Sequence, residues 1–221
     1  MITLHHLNNS RSQRIIWLLE ELGCDYTLQT YQRDSTTNLA PASLKAVHPL
    51  GRSPILSTPH GDIAETGAII EYLVKHHGNG AFAVPSAPEA ELNYWFWLHF
   101  SEGSLMPPMV ASLVLNRARE KASGFLIKGI VNKLVDGILG AYFGPNLKTS
   151  LAYIEGYLSE NEWFAGDQPT GADVQMIFPL ESLVATGRAD DLPAVKAYVA
   201  RVHERPAYKV ALEKGGEYAY A

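Results

Sequence analysis

Three short segments hold residue types able to grip and act on a small polar ligand. In the first, Ser53-Pro54 stands at the entrance to the apolar pair Ile55-Leu56. A proline there removes a ladder donor, and its peptide bond can be cis for a structural reason. A cis bond leaves the main chain of Ser53 and Ile55 free to pair with an extended peptide, as in strand addition. In the second, Glu65-Thr66-Gly67 opens a helical pattern with Thr66 as a natural N-cap. A helix start offers unpaired N–H groups and a positive dipole end to a carboxylate. Glu65 beside it can take an ammonium, so the pair matches an α-amino-acid head group. The third is the aromatic run Tyr94 to Ser104, where Phe96, His99, Phe100 and Gly103 recur at the spacing of one helix face. Each has a plainer alternative: a trans proline starting a strand, a threonine that only caps its helix, an aromatic run that serves the core or a subunit contact.

The elements that must position these residues fall into two halves. Residues 2 to 7 read as a strand, and Ile15, Leu18, Leu19 and Leu22 recur at helical spacing up to Gly23. Tyr26 to Tyr31 alternates as a second strand, 41 to 46 forms a short helix, and short strands flank the His60-Gly61 turn. A helix with Ile69, Ile70 and Leu73 on one face then runs to Gly78, giving the order βαβ-αββα. Residues 79 to 88, rich in Gly and Pro, read as a linker. Beyond it the pattern is helical, at 88–117, 120–140, 146–160, 171–186 and 192–204, with Gly144-Pro145 and Arg205-Pro206 as punctuation. The expectation is therefore α/β plus all-α: residues 1–78, a linker at 79–88, and an all-helical domain at 89–221.

Composition narrows the partners. The chain has 221 residues, 47% apolar and 19% charged, with net charge −5 and no run of Lys or Arg, so neither nucleic acid nor an anionic membrane is expected. There is no signal-like N-terminus and no long apolar span, which predicts a cytoplasmic protein. Cys24 is the single cysteine, which rules out an internal disulfide, a CxxC pair and a cysteine-based zinc site. His99 and Glu102 have helical i, i+3 spacing, but no third candidate ligand stands nearby, so no metal is expected.

Four segments, in order, resemble the cytosolic glutathione transferases. Pro49-Leu-Gly-Arg-Ser-Pro-Ile-Leu56 is similar to that family's loop into its cis-proline strand, and Glu65-Thr66-Gly-Ala-Ile69 to its glutamate-serine helix start. Trp163-Phe-Ala-Gly and Pro169-Thr-Gly-Ala-Asp173 resemble its late capping box, with Thr170 and Asp173 capping a core helix reciprocally. Leu7 to Gly23 resembles the strand-to-helix segment of the serine-type members, and the matches together span about residues 3 to 204.

The resemblance implies a thioredoxin-like first domain, an all-helical second domain and a homodimer. It implies a transferase of detoxification type that conjugates glutathione, its co-substrate, to small hydrophobic electrophiles, with peroxidase as a side activity. Ser53, Pro54, Glu65 and Thr66 would hold the γ-glutamyl end, Ile55 the cysteinyl main chain and Arg52 the glycyl end. Phe96, His99, Phe100 and Gly103 would face the electrophile. A protein of this fold that binds glutathione or apolar ligands without turnover is the alternative.

Chemistry on such a ligand means ionising its thiol, which titrates near 8.5 when free. A hydroxyl donating to the thiolate contributes about 1.5 to 3 kcal/mol and a helix N-terminus about 0.3 to 1, together a fall of roughly 1.5 to 3 pKa units. By the resemblance Ser10 is the first choice for that hydroxyl, four residues before Arg14, with Asn9 the rival position. His5 or His6 stands where tyrosine-type members carry their tyrosine, so a tyrosine mechanism is not expected. The lack of a cysteine near Ser10 argues against mixed-disulfide chemistry.

Overall fold

Alternating apolar residues from Ile2 to Leu7 form β1, the strand on which the first half is built. A computed structural model describes residues 2–37 and 39–221. In it β1 is followed by α1 (Gln13–Glu21), β2 (Tyr26–Tyr31), α2 (Ala42–Val47), β3 (Ile55–Thr58), β4 (Gly61–Ala64) and α3 (Thr66–His77). The sheet order is β2-β1-β3-β4. β2 runs parallel to β1, which requires a crossover that α1 supplies, while β3 is antiparallel to both β1 and β4. This is the thioredoxin-like order expected from the sequence.

The second half contains α4 (Pro88–Phe100), α5 (Met106–Lys121), α6 (Phe125–Ile138), α7 (Gly144–Glu160), α8 (Gly171–Ala185), α9 (Pro193–His203) and α10 (Pro206–Gly215). Helix α4 continues into α5 through a π-helical turn at Ser101–Leu105, within the single helical stretch 88–117 read from the sequence. Two features depart from that reading. Helix α6 continues into α7 through another π-helical turn at Leu139–Phe143, so Gly144-Pro145 is no break. Pro206, read as a stop, likewise opens α10.

One core runs through both halves, from Leu4, Trp17 and Ile70 to Trp97, Phe164, Ile177 and Tyr198. Helix α1 lies at its centre, packed on α3, α8 and α10, and Arg14 through Leu19 are wholly buried. The start of α8 is equally dry. Asp173 is 0% exposed and accepts the N–H of Thr170 (2.7 Å), the N–H of Phe164 (3.0 Å) and the hydroxyls of Thr170 (3.0 Å) and Tyr198 (3.3 Å). Burial pushes its carboxyl up to about 6 against the pull of those donors. Apolar side chains remain outside on one side of the helical half, among them Leu92 and Trp95 on α4, Val110, Leu113 and Val114 on α5, and Phe125, Leu126 and Ile130 on α6.

Candidate active site

Two clefts meet at the start of α3. The first encloses about 300 Å³ and is lined by Arg11, Arg52, Ser53, Pro54, Glu65 and Thr66, with Glu102 and Val110 from the helical half. Ser53-Pro54 is cis. The Ser53 hydroxyl donates to the His5 carbonyl at 3.0 Å and accepts the Leu7 N–H at 3.2 Å, which fastens the loop to β1. Ile55 lies differently from expectation. It is wholly buried inside the sheet, in register with His5 on one side and Ala64 on the other, so its main chain is flanked by neighbouring strands. Ser53, ahead of the strand, is the residue that lines the cleft.

Thr66 is not the cap of α3. It is the first helical residue, and Glu65 occupies the cap position with φ 72° and ψ 120°. A non-glycine residue held there costs about 1 to 3 kcal/mol, a strain that concentrates at functional sites. No side chain caps this helix. Its first N–H groups have no intrahelical acceptor and stand ready for an anion.

Of the loop from β1 to α1, Arg11 lines the first cleft; Asn9 and Ser10 line neither, and Ser10 adjoins the first cleft through Ser53. Asn9 has φ 50°, and its side-chain carbonyl accepts the Ala219 N–H at 2.8 Å, turned toward the C-terminal segment. Ser10 is 6% exposed, with Oγ 2.8 Å from Ser12 Oγ and 3.4 Å from Ser53 Oγ. Ser12 Oγ lies 2.8 Å from His6 Nδ1, and burial pushes the His6 imidazole below its ordinary value. Arg11 donates to both Glu102 oxygens, at 2.9 and 3.1 Å, and the buried Arg14 reaches Glu102 Oε1 at 2.6 Å and the Gln175 carbonyl. Burial pushes the Glu102 carboxyl up, but Arg14 and Arg11 outweigh it, so the net shift is downward. Glu102 enters the sequence reading only beside His99 as a metal ligand, and its pairing with Arg11 escapes that reading because 91 residues separate the two and nothing local marks the pair.

The second cleft, of about 660 Å³, is lined by Trp95, Leu98, His99, Gly103 and Gln175, and it shares Glu65, Thr66 and Glu102 with the first. His99 and Gly103 therefore reach it. Phe96 and Phe100 do not line it: they stack on each other at 5.2 Å and pack against Tyr153 and Trp97. Trp95, Leu98 and Glu102 line the cleft beside His99 and Gly103, so the facing side is turned away from Phe96 and Phe100. Cys24 lies outside both clefts, and burial, aided by Glu20, pushes its thiol up. Among the described residues there is no group of three or more His, Cys, Asp or Glu able to hold a metal. Among them also, no helix is long and apolar enough to cross a membrane.

A cation, an acid and an uncapped helix start lie around a cis-proline loop, on a thioredoxin-like sheet backed by a helical half, which is the arrangement implied by the resemblance to the glutathione transferases. Residues 1–75 match the family model for the glutathione S-transferase N-terminal domain, and residues 144–206 match that for the C-terminal domain. The chain is 40% identical to glutathione S-transferase 3 of Schizosaccharomyces pombe, over 97% of this chain and 88% of the relative. It is 31% identical to glutathione S-transferase 1 of Saccharomyces cerevisiae, over 97% and 95%. A solved glutathione S-transferase from Actinobacillus pleuropneumoniae superposes with TM-score 0.77 at 33% identity, covering 97% of this chain and 93% of that one. A sphingomonad glutathione S-transferase complexed with glutathione shares the fold, with TM-score 0.73 at 20% identity over 97% and 98%. The chain belongs to the glutathione S-transferase family.

Proposed function

We propose that this glutathione transferase binds glutathione in the 300 Å³ cleft and adds its thiolate to a small hydrophobic electrophile held in the adjoining 660 Å³ cleft. The γ-glutamyl carboxylate sits on the open N-terminus of α3 and its ammonium on Glu65. The main chain of Ser53, beside cis-Pro54, pairs with the cysteinyl residue, and Arg52 meets the glycyl carboxylate. Ser10 is the hydroxyl that donates to the thiolate. The observation that carries this reading is the uncapped start of α3, with Glu65 held at φ 72° in a cleft that also contains Arg52 and Ser53. His99 and Gly103, with Trp95 and Leu98, border the electrophile, and no metal takes part.

The same reading divides the chain into residues 1–78, a linker at 79–88 and residues 89–221, and sets the enzyme in the cytoplasm as a homodimer. The exposed Leu92 on α4 and Leu113 and Val114 on α5, which line neither cleft, support a dimer, since a second copy would cover them. The test of the central claim is Ser10→Ala, with the bound thiol titrated by its ultraviolet thiolate absorbance. The thiol pKa is expected to rise by roughly 1 to 2 units, with turnover at neutral pH falling about tenfold or more. An unchanged pKa and turnover remove Ser10 from the mechanism.

A further inference from the structure

We infer that Ser12 and His6 form a proton relay behind Ser10, through which the thiol of bound glutathione ionises by passing its proton inward to His6 rather than out to solvent. The inference rests on Ser10 as the group that meets the sulfur. Its direction is fixed at the far end. His6 Nε2 lies 3.1 Å from the Gly215 carbonyl, which can only accept, so this nitrogen carries the ring proton. The neutral ring then presents a bare Nδ1 to Ser12 Oγ, 2.8 Å away, and Ser12 must donate. The other acceptor within reach of Ser12, the Leu7 carbonyl, is farther at 3.4 Å. With its own proton committed, Ser12 Oγ can only accept from Ser10 across their 2.8 Å contact, which is shorter than the 3.4 Å from Ser10 to its other acceptor, Ser53 Oγ. The Ser12 N–H in turn donates to Ser10 Oγ at 3.3 Å.

In the resting enzyme the Ser10 proton therefore points inward, whereas a thiolate needs it pointing out. One shift reconciles the two. The S–H bond breaks and its proton binds Ser10 Oγ, the Ser10 proton passes to Ser12 Oγ, and the Ser12 proton passes to His6 Nδ1. The products are a thiolate accepting from Ser10 and an imidazolium donating to Ser12. Every hydrogen bond reverses and none is lost, and the net charge of the site is unchanged. When the thiolate adds to the electrophile, the chain runs outward and returns the proton to the new carbanion or the leaving group.

The surroundings suit such a proton store. His6 is 2% exposed, and burial keeps it neutral until a thiolate forms to balance its charge. On the elements packed around it, Arg14 of α1 pairs with Glu102, Glu21 of α1 with Arg205 and Lys214 of α10 with Glu20, while Lys209 and Glu213 of α10 are exposed. His5, its neighbour on β1, is turned to Tyr31 and Ser57, and Glu217 beyond α10 is exposed.

The test counts protons. Glutathione binding is measured by calorimetry at pH 7 in buffers of different ionisation enthalpy, alongside the ultraviolet thiolate signal. Wild type is expected to release less than about a third of a proton per thiolate formed, because His6 keeps the rest. Ser12→Ala is expected to lower the bound thiolate fraction about tenfold and to release close to one proton for each thiolate that does form. Ser12→Thr, which keeps the hydroxyl, restores the wild-type values. His6→Asn keeps an acceptor for Ser12 but takes up no proton, and should behave as Ser12→Ala does. A wild-type enzyme that releases one proton per thiolate overturns the relay, as does a Ser12→Ala enzyme unchanged in both quantities. If Ser10→Ala leaves the thiolate intact, it is the assignment of Ser10 that fails. If Ser10→Ala abolishes it while wild type releases a full proton, only the relay fails.

Discussion

Helices α3 and α8 begin in opposite ways. At α8 the cap residue Thr170 and the preceding loop are met from within by Asp173, a wholly buried carboxylate that accepts four donors from three residues. At α3 no side chain caps the helix, and the cap residue Glu65 stands in a backbone conformation that side chains avoid. The first start is finished in the folded chain. The second is left open, as the proposed binding of a glutathione carboxylate there requires. The chain commits its polar groups where a helix supports the core, and leaves them out at the start where we propose that a ligand supplies the acceptor.

The largest effect expected from breaking this contrast is at α8. Asp173→Ala leaves the Phe164 and Thr170 N–H groups buried without their acceptor, while the Tyr198 hydroxyl keeps the main-chain carbonyl at 173, and should cost about 3 to 5 kcal/mol in urea unfolding. Next comes a pH dependence from the same residue. Unfolded, its carboxyl titrates near 3.8; folded, at about 6. The folded chain keeps a proton that the unfolded chain has released. Stability should therefore fall as pH rises between those values, by about 3 kcal/mol in all, and Asp173→Asn should flatten that slope.

At α3 the effects are smaller and fall on binding. Glu65→Gln removes the charge expected to meet the γ-glutamyl ammonium, and should weaken glutathione binding about tenfold by calorimetry while leaving the melting temperature within about 2 °C. Glu65→Gly is the sharpest discriminator. Glycine adopts a positive φ without strain, so the fold should gain about 1 kcal/mol while glutathione affinity falls. A variant at α8 that stabilised the fold would erase the distinction drawn here, and so would a Glu65→Gly enzyme that melted lower.

Much of the fold was legible because its signals are local. The alternation of β1 and β2, the helical spacing of Ile15, Leu18 and Leu19, and the Thr170-Asp173 pair each lie within a few residues and report directly on one element. Ser53-Pro54 and Glu65-Thr66 were legible as a pair for the same reason, although the chain places the cap at Glu65 and turns Ile55 into the sheet. What stayed hidden depends on partners distant in sequence. Glu102 meets Arg11 and Arg14 across 91 and 88 residues, and His6 meets Gly215 across 209. The face of α4 was legible only in part because helical spacing alone does not say which side α7 covers. Its Tyr153 and Tyr157 pack on the side of Phe96, Trp97 and Phe100, and leave Trp95, Leu98 and His99 to the cleft.

The joining of the first loop to the last segment sets an order of events on the ribosome. Asn9 is held by the N–H of Ala219 and His6 by the carbonyl of Gly215, at separations of 210 and 209 residues. At synthesis rates of about 5 to 20 residues per second, roughly 10 to 40 s pass between the emergence of the loop and that of the groups that fix it. The nascent thioredoxin-like half can fold its sheet in that interval while the loop after β1 still lacks two of its supports. Completion of that loop therefore waits on residues some 210 positions further along the chain.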